Sequence, residues 1–370
     1  MKEDTSLFGT SSEDAEKGKP MNKRILLVLL SIALLTSLVI TGCGAQETTK
    51  TTVPEPTDGK ETTTEAPAES TDKPAKDLEL VVYASSQEEM AAIVCDTFEK
   101  ATGIKTTFTR LSGGEALTRI KEEQNNPQAD IWYGGTTDPY NEAKALGLLE
   151  HFVPENAKNM RADVYKDTDG YWYGVYTGNV GFLCNQLLLD EKNLPVPQDW
   201  EDLLDPMYKD CIAFANPGTA GTGRQILNTL GQMWGDEKAM EYFAELDKNV
   251  RHYPKTGSGP GKMVGIGELE IAIGFLADGV EQILMGYDDV VMVAPKSGTS
   301  FEVGATAIIK DCKNMEDAQI ILNRALTPEA QAIGETIRIC ELTTVKDAKD
   351  PEVMMELCPM YVKLMDYDFA

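Results

Sequence analysis

Histidine is almost absent from this chain, whose 370 residues include only His151 and His252. A metal centre built from several histidines of one chain is therefore excluded. Basic residues are also few, since 34 Lys and Arg stand against 60 Asp and Glu and leave a net charge of −26. Nucleic acid requires a basic surface, so this charge excludes nucleic acid as the main partner.

The chain also lacks the short motifs of several enzyme classes. GxSxG, HExxH and GxGxxG do not occur. Residues 257–263 resemble a phosphate-binding loop, but Thr256 stands at its first glycine and Met263 at its final Ser or Thr. We predict that the protein is not an enzyme and uses no cofactor. The alternative is an exported surface hydrolase that uses carboxylates such as Glu268 and Asp278.

A long apolar run lies near the start of the chain, at residues 25–40. Two basic residues precede it, which is typical of a signal peptide. The small residues that follow lead into Cys43 and resemble the bacterial lipobox, in which the cysteine is lipidated. We predict a signal peptide at 1–42, with Met21 as an alternative start. The competing interpretation is an uncleaved anchor helix.

Residues 44–77 consist mainly of Thr, Glu, Pro, Ser, Lys and Asp. Such a segment cannot bury enough apolar surface to offset its conformational entropy. We therefore predict that residues 43–77 form a lipidated cysteine followed by a disordered tether. The folded part would begin near Leu78 and lie outside the cytoplasm, anchored to the cell membrane through the lipid on Cys43.

Six cysteines follow the tether. An even number in an exported protein permits disulfides, yet none of the six stands in a CxxC. The apolar neighbours of Cys95 and Cys211 favour buried free thiols equally well. The sequence leaves open the redox state of Cys95, Cys184, Cys211, Cys312, Cys340 and Cys358.

Strand, glycine-containing turn and helix recur three times in the first part of the folded region. Apolar runs at 78–83, 104–109 and 129–133 each lead into a polar turn and then into a helical pattern. This alternation predicts a parallel α/β sheet whose turns open at its carboxyl edge. Open α/β folds bind their ligands at that edge.

The next segment, 171–185, predicts a long extended stretch that leaves one lobe and enters another. The same alternation resumes at 211–215 and again at 269–275. The predicted fold class is therefore α/β, with two lobes joined by a hinge and a ligand cleft between them. We assign the lobes to 78–178 with 294–370, and to 179–293.

Small polar residues fill the turns of both lobes. Each turn combines hydroxyl groups or glycines with free backbone N–H groups at a helix start, which can hold an anion. N-capping alone explains any single turn, but five turns around one cleft favour a binding site. The predicted ligand-binding residues in these turns are Ser85, Ser86, Ser112, Gly113, Gly135, Thr136, Thr137, Gly218, Thr219, Ala220, Thr222, Gly257 and Ser258.

Seven short stretches, in this order, resemble one protein family. They lie at 81–86, 98–104, 127–134, 200–206, 216–219, 267–268 and 294–299. Through them the chain resembles the extracellular solute-binding proteins of bacterial ABC importers. The resemblance is to the branch that contains ferric-iron, phosphonate, sugar-phosphate and thiamine binders, and it implies a periplasmic-binding-protein-like fold.

The resemblance also bears on the ligand. Ferric binders of this branch carry a histidine, a glutamate and a tyrosine pair where this chain has Gln87, Gly135 and Ala277-Asp278. Ferric iron prefers anionic oxygen ligands, and of these residues only Asp278 supplies one. The resemblance therefore implies a phosphate-bearing solute held by the turns, with Asp278 facing an amine or a sugar hydroxyl.

We therefore expect a monomeric receptor that closes on a small anionic solute and delivers it to the permease and ATPase subunits of an importer. Its hinges are expected at 176–179 and 293–295, where the chain should cross between lobes. The first expected ligand is an organic phosphate or phosphonate, followed by ferric iron and then by thiamine-type cations. A sensor that docks on a membrane kinase remains open.

Overall fold

The computed structural model describes residues 79–359 and 362–369. The predicted signal peptide, Cys43 and the tether lie outside the described residues. None of the helices in the described ranges combines the length and the apolar character that crossing a bilayer requires.

The described residues form one sheet of nine strands with helices on both faces. The strands are β1 (Leu80–Ala84), β2 (Thr106–Arg110), β3 (Ile131–Tyr133), β4 (Tyr173–Asn185), β5 (Ile212–Phe214), β6 (Val250–His252), β7 (Ile271–Phe275), β8 (Val290–Val293) and β9 (Phe301–Ile308). The helices are α1 (Glu88–Thr102), α2 (Gly113–Glu122), α3 (Asp138–Ala145), α4 (Gln186–Glu191), α5 (Gly221–Trp234), α6 (Asp236–Leu246), α7 (Gly259–Gly265), α8 (Leu276–Leu284), α9 (Met315–Ala325), α10 (Pro328–Gln331) and α11 (Glu352–Leu357). Short 3-10 helices lie at Glu155–Asn159, Asp163–Tyr165, Trp200–Leu204, Pro206–Tyr208 and Ile333–Ile337.

The first half of the sheet has the strand order β2-β1-β3-β9. β1 pairs in parallel with β2 and β3, as the strand-turn-helix alternation predicted. β9 is antiparallel to β3, so this half is mixed and not purely parallel. The antiparallel strand arises because β9 returns from the other half of the molecule instead of following a crossover helix.

β4 connects the first half of the sheet to the second. Tyr173–Asn179 pair with β9, and Val180–Cys184 pair with β7, both antiparallel. β5 then pairs in parallel with β6 and β7, and β8 pairs with β4. The extended segment predicted at 171–185 is therefore a strand shared by both halves. The pairing partner changes between Asn179 and Val180, next to the hinge expected at 176–179, which stays a prediction.

Helices cover both faces of each half, which gives each half its own core. In the first half, α1 and α9 contribute buried residues to one core, and α2 and α3 contribute to another. In the second half, α5 and α6 lie in one core, and α7 and α8 lie in another. α11 packs against α8 and adds Met354 to that last core. The predicted α/β class with two lobes is confirmed.

The six cysteines of the described residues are free. All but Cys358 are buried, and burial raises the pKa of the Cys95 thiol to about 12. The thiol form therefore dominates at neutral pH, and the buried sulfurs act as small apolar groups in the cores. Of the two interpretations that the sequence left open, the structure has free thiols.

Gly304 lies against the ring of Tyr176 on the neighbouring strand, and a methyl group at this position would overlap that ring. We expect Gly304→Ala to destabilise the fold by about 1–3 kcal/mol, as overpacking of a core does. Gly274→Ala is the matched control, since its new methyl group would lie 3.8 Å from the nearest side-chain atom. Urea unfolding measures both, and equal midpoints for the two variants would contradict the prediction.

Candidate functional site

A cleft lies where the carboxyl ends of two sets of parallel strands meet. The residues that follow β1, β2 and β3 line it from the first half of the sheet, and those that follow β5, β6 and β7 line it from the second. It contains about 600 Å³ of space free of protein atoms, part of which is open to solvent. This is the edge at which open α/β folds bind ligands.

Most of the residues predicted from the turns lie together in this cleft. Thr137 is buried beside the start of α3 and does not line the cleft. Gly218 and Thr219 lie in a neighbouring groove with residues of α2, and the Thr219 hydroxyl donates to the backbone oxygen of Lys255. The predicted residues that line the cleft are Ser85, Ser86, Ser112, Gly113, Gly135, Thr136, Ala220, Thr222, Gly257, Ser258 and Asp278.

Seven further residues line the cleft that the sequence analysis did not place among the ligand-binding residues. The sequence could have indicated Arg110 as a cleft residue, because this residue ends a strand just before a predicted turn. No local pattern indicates Glu302 or Glu341, since β9 and the chain after the 3-10 helix Ile333–Ile337 reach the cleft only through the tertiary fold. The seven are Gln87, Arg110, Tyr176, Gly221, Phe275, Glu302 and Glu341.

The hydroxyl groups of the cleft differ in how their hydrogen bonds are used. The Ser85 hydroxyl accepts a hydrogen bond of 2.8 Å from the indole N–H of Trp132, which fixes its orientation. Ser112 forms a capping box with Glu115 at the start of α2, so its hydroxyl serves the helix. The Thr136 hydroxyl is buried and has no hydrogen-bond partner among the described residues. A buried polar atom of this kind needs a partner, and a ligand in the cleft can supply one.

Two consecutive glycines bring the turn after β3 against the turn after β1. Gly134 and Gly135 have φ of 80° and 81°, in the left-handed region that favours glycine. A Cβ at either position would lie 2.9 Å from the Cβ of Ser86 or Ser85, respectively. The N–H of Gly135 donates to the phenol oxygen of Tyr176 at 2.8 Å. Glycine is therefore required here by both the backbone conformation and the close approach.

Residues from the two sides of the cleft contact each other directly. The Gln87 amide donates to Glu281 on α8 at 2.9 Å, and Asn228 on α5 donates to Asp138 on α3 at 2.9 Å. Gly221 packs against Thr136 so closely that a side chain on it would overlap the threonine hydroxyl. The two sides of the cleft are therefore in contact, as in a closed conformation.

Three carboxylates line the same cleft, of which the sequence analysis predicted only Asp278 among the hydroxyl groups and glycines of the turns. Asp278 and Glu302 are 9% and 5% exposed, and Glu341 has a buried oxygen without a hydrogen-bond partner among the described residues. Glu281, on the same helix as Asp278, acts electrostatically on Asp278 and Glu341 and accepts the hydrogen bond from Gln87. Arg110 donates instead to the backbone oxygen of Ser86 at 3.2 Å. Hydrogen bonds from Ser112 lower the pKa of the neighbouring Glu115, and the charge of Arg110 lowers it further.

Burial and mutual repulsion raise the pKa of each of these carboxyls. Burial and the charge of Glu281 raise the pKa of Asp278 to about 7, although Lys262 opposes the shift. Burial, together with Asp278 and Glu281, raises the pKa of Glu341 to about 8. The pKa of Glu302 is raised well above its usual range by burial and by Glu341 and Asp278. At neutral pH these groups therefore share protons.

The pair of carboxylates considered for a hydrolase is not assembled. Asp278 lines the cleft, whereas Glu268 is exposed and lies outside it. Within 79–359 and 362–369, no group of three or more His, Cys, Asp or Glu side chains is placed to hold a metal ion.

Comparisons with known proteins agree with this geometry. A family model described as "Bacterial extracellular solute-binding protein" matches residues 126–353. Among solved structures, the periplasmic binding protein AfuA from Actinobacillus pleuropneumoniae, with exogenous fructose-6-phosphate bound, superposes with a TM-score of 0.74. It is 34% identical, over 79% of this chain and 92% of that one.

Two further relatives are named for other ligands. A Salmonella typhimurium protein named as a 2-aminoethylphosphonate-binding periplasmic protein is 27% identical over 258 residues, which is 67% of this chain and 71% of that protein. The major ferric iron-binding protein of Neisseria gonorrhoeae is 33% identical over 178 residues, which is 48% of this chain and 53% of that protein.

The raised pKa values predict how stability depends on pH. A carboxyl whose pKa is higher in the folded than in the unfolded protein makes the native state bind more protons. Stability then falls as pH rises from about 4, the unfolded value, to about 8. Each retained proton contributes a slope of about 1.4 kcal/mol per pH unit. We expect urea unfolding of the ligand-free protein between pH 5 and pH 8 to show this fall.

Glu341→Gln removes one of these protons and should flatten the slope. Glu335→Gln is the control, because Glu335 is exposed on the preceding 3-10 helix and does not line the cleft. An unchanged slope in the Glu341 variant would contradict the assignment of the titration to the cleft.

Proposed function

The chain belongs to the bacterial extracellular solute-binding proteins, and we propose that it captures a small organic phosphate or phosphonate and delivers it to the permease of an ABC importer. One observation carries the choice of ligand. Both carboxyl edges of the sheet present hydroxyl groups and helix starts to a single cleft, together with the Arg110 guanidinium. Such donors suit the oxygens of a phosphate or phosphonate group.

The Thr136 hydroxyl supports this assignment, because it is buried in the cleft and has no hydrogen-bond partner within residues 79–359 and 362–369. Thr222 and Ser258 line the same cleft from two turns of the other half of the sheet. An oxyanion between these residues and Thr136 would receive hydrogen bonds from both halves at once. Binding would then favour closure, since the ligand joins elements that separate in an open form.

The carboxylates of the cleft fit the remainder of such a solute. Asp278, Glu302 and Glu341 accept hydrogen bonds, so they suit hydroxyl or ammonium groups attached to the phosphate-bearing carbon chain. Closure removes water from around these contacts and strengthens them through the lower dielectric. The proposed role ends with release to the permease and involves no chemical turnover.

The same proposal includes attachment to the membrane and a division into two lobes. A lipid on Cys43 and the tether at 43–77 would keep a monomeric receptor near the membrane and free to reorient. We assign 78–178 with 294–370 to one lobe and 179–293 to the other. β4 is the shared element about which they would move, together with the return crossing at 293–295.

Ferric iron is the competing ligand. Ferric binders occur in the same family. In this chain, however, Gln87 and Gly135 stand at two positions of the ferric ligands, and the Gln87 amide donates a hydrogen bond to Glu281. Native mass spectrometry of the protein purified from its own host tests the choice. A retained mass that matches an organic phosphate or phosphonate is expected, and a retained iron would contradict the proposal.

Thr222 provides the mutational test of the anion site. We expect Thr222→Ala to weaken the binding of fructose 6-phosphate or 2-aminoethylphosphonate by about 1–3 kcal/mol, the effect of one lost buried hydrogen bond. Thr219→Ala is the matched control, because its hydroxyl donates to Lys255 outside the cleft. Isothermal titration calorimetry measures both. Equal losses in the two variants, or no loss in Thr222→Ala, would refute this placement of the anion.

A further inference from the structure

Three segments that are distant in sequence bring carboxylates to one place in the cleft. Asp278 stands at the start of α8, Glu302 on β9, and Glu341 on the chain that follows the 3-10 helix Ile333–Ile337. Glu341 belongs to none of the turns at the carboxyl edges of the sheet. It therefore adds a negative group that the strand-turn-helix units do not themselves provide.

None of these three carboxylates forms an ion pair within the described residues. Two other buried acids of the described residues do form ion pairs: Asp167 contacts Lys144, and Glu270 contacts both Lys192 and Arg251. Lys262 acts electrostatically on Asp278 and Glu281. Glu302 is only 5% exposed, and no basic side chain of the described residues acts on it in the same way.

A separate observation indicates that the cleft is built for an occupant. Thr136 is 3% exposed, lines the cleft, and has a hydroxyl without a partner in the described part of the chain. The amide oxygen of Gln87, also in the cleft, is buried and unpaired in the same way. These neutral groups do not belong to the acidic cluster, and their unmet hydrogen bonds need partners that a ligand in the cleft can supply.

The charge of the cluster distinguishes between two kinds of ligand. One or two carboxylates suffice to accept hydrogen bonds from neutral hydroxyls. A third buried carboxylate adds repulsion that only a proton or a positive charge relieves. Metal binding is not favoured, since the described residues hold no group of acids arranged for it. An organic ammonium group supplies both the charge and up to three N–H donors.

We propose that Glu341 makes the cleft selective for a solute that carries a cationic amine beside its phosphate or phosphonate group. The inference rests on the proposed function, because the phosphate group must occupy the donors on the opposite side. The ammonium would replace protons held by the empty cluster, so binding an amine should release protons. The ionisable groups that face Glu341 are Asp278, Glu281, Glu302, Tyr133, Tyr176 and Cys340.

Two matched pairs of probes test the proposal on the full chain purified in detergent. They are 2-aminoethylphosphonate with 2-hydroxyethylphosphonate, and glucosamine 6-phosphate with glucose 6-phosphate. Calorimetry at pH 7 is expected to show that the amine member binds more tightly by about tenfold or more in at least one pair, as a charged hydrogen bond does. Glu341→Gln should remove most of this preference by weakening the amine member alone, whereas Glu335→Gln should retain it.

The possible failures are distinguishable. If the probes bind but the hydroxyl member is equal or preferred in both pairs, or if Glu341→Gln weakens both members alike, the selectivity proposal is wrong and the proposed function stands. If no probe binds and ferric iron does, both are wrong.

A measurement on the unmodified protein covers the case in which the variant does not fold. Calorimetry in two buffers of different ionisation enthalpy should detect more proton release with the amine member than with its hydroxyl counterpart, and equal release from both would overturn the proposal.

Discussion

The pairing of β4 with two halves of one sheet is the constraint on which the rest of the structure depends. Its first residues are hydrogen-bonded to β9 and its last to β7 and β8. Parallel strands on each side therefore end facing each other, and their turns enclose a cleft. A bulge between Gly174 and Tyr176, together with Gly304 opposite, lets the Tyr176 phenol reach the backbone of Gly135. The crossing strand thus fixes the position of a turn that lines the cleft.

The charge of the whole chain does not describe the cleft. A net charge of −26 speaks against an anionic ligand only if the charges are close to it, and screening limits the reach of exposed charges to about 10 Å at moderate salt. Arg110, backbone N–H groups and hydroxyls from both halves act at contact distance. The nearby carboxylates are partly protonated at neutral pH, which reduces the repulsion that their number alone would suggest.

Much of the fold could be predicted because the strand-turn-helix alternation is local. Ser85, Thr136 and Thr222 were found in this way, since each follows a strand whose direction places it at a carboxyl edge. Side-chain direction within a turn is not local, so Thr219 was placed among them although its hydroxyl is turned to Lys255. Ser112 shows the ambiguity of a hydroxyl at a helix start, because it serves as a cap within the cleft.

The carboxylates show what periodicity cannot reveal. Glu302 lies in a strand whose other residues are apolar or small, and its sequence context is that of a core strand. Only the crossing of β4 and β9 turns that position towards the cleft. Glu341 depends on the path of the chain after α10, for which no motif exists. Tertiary contacts between distant segments therefore determined the polarity of the site, and the local sequence determined its scaffold.

Burying several carboxylates is unfavourable, so their arrangement constrains how the molecule closes. Glu281 accepts the hydrogen bond from Gln87 across the cleft and also raises the pKa values of Asp278 and Glu341. The same group thus takes part in closing the cleft and in setting the charge inside it. Opening would return these carboxyls to water and lower their pKa values, so proton loss favours the open form. A ligand that neutralises the cluster favours the closed form for the same electrostatic reason.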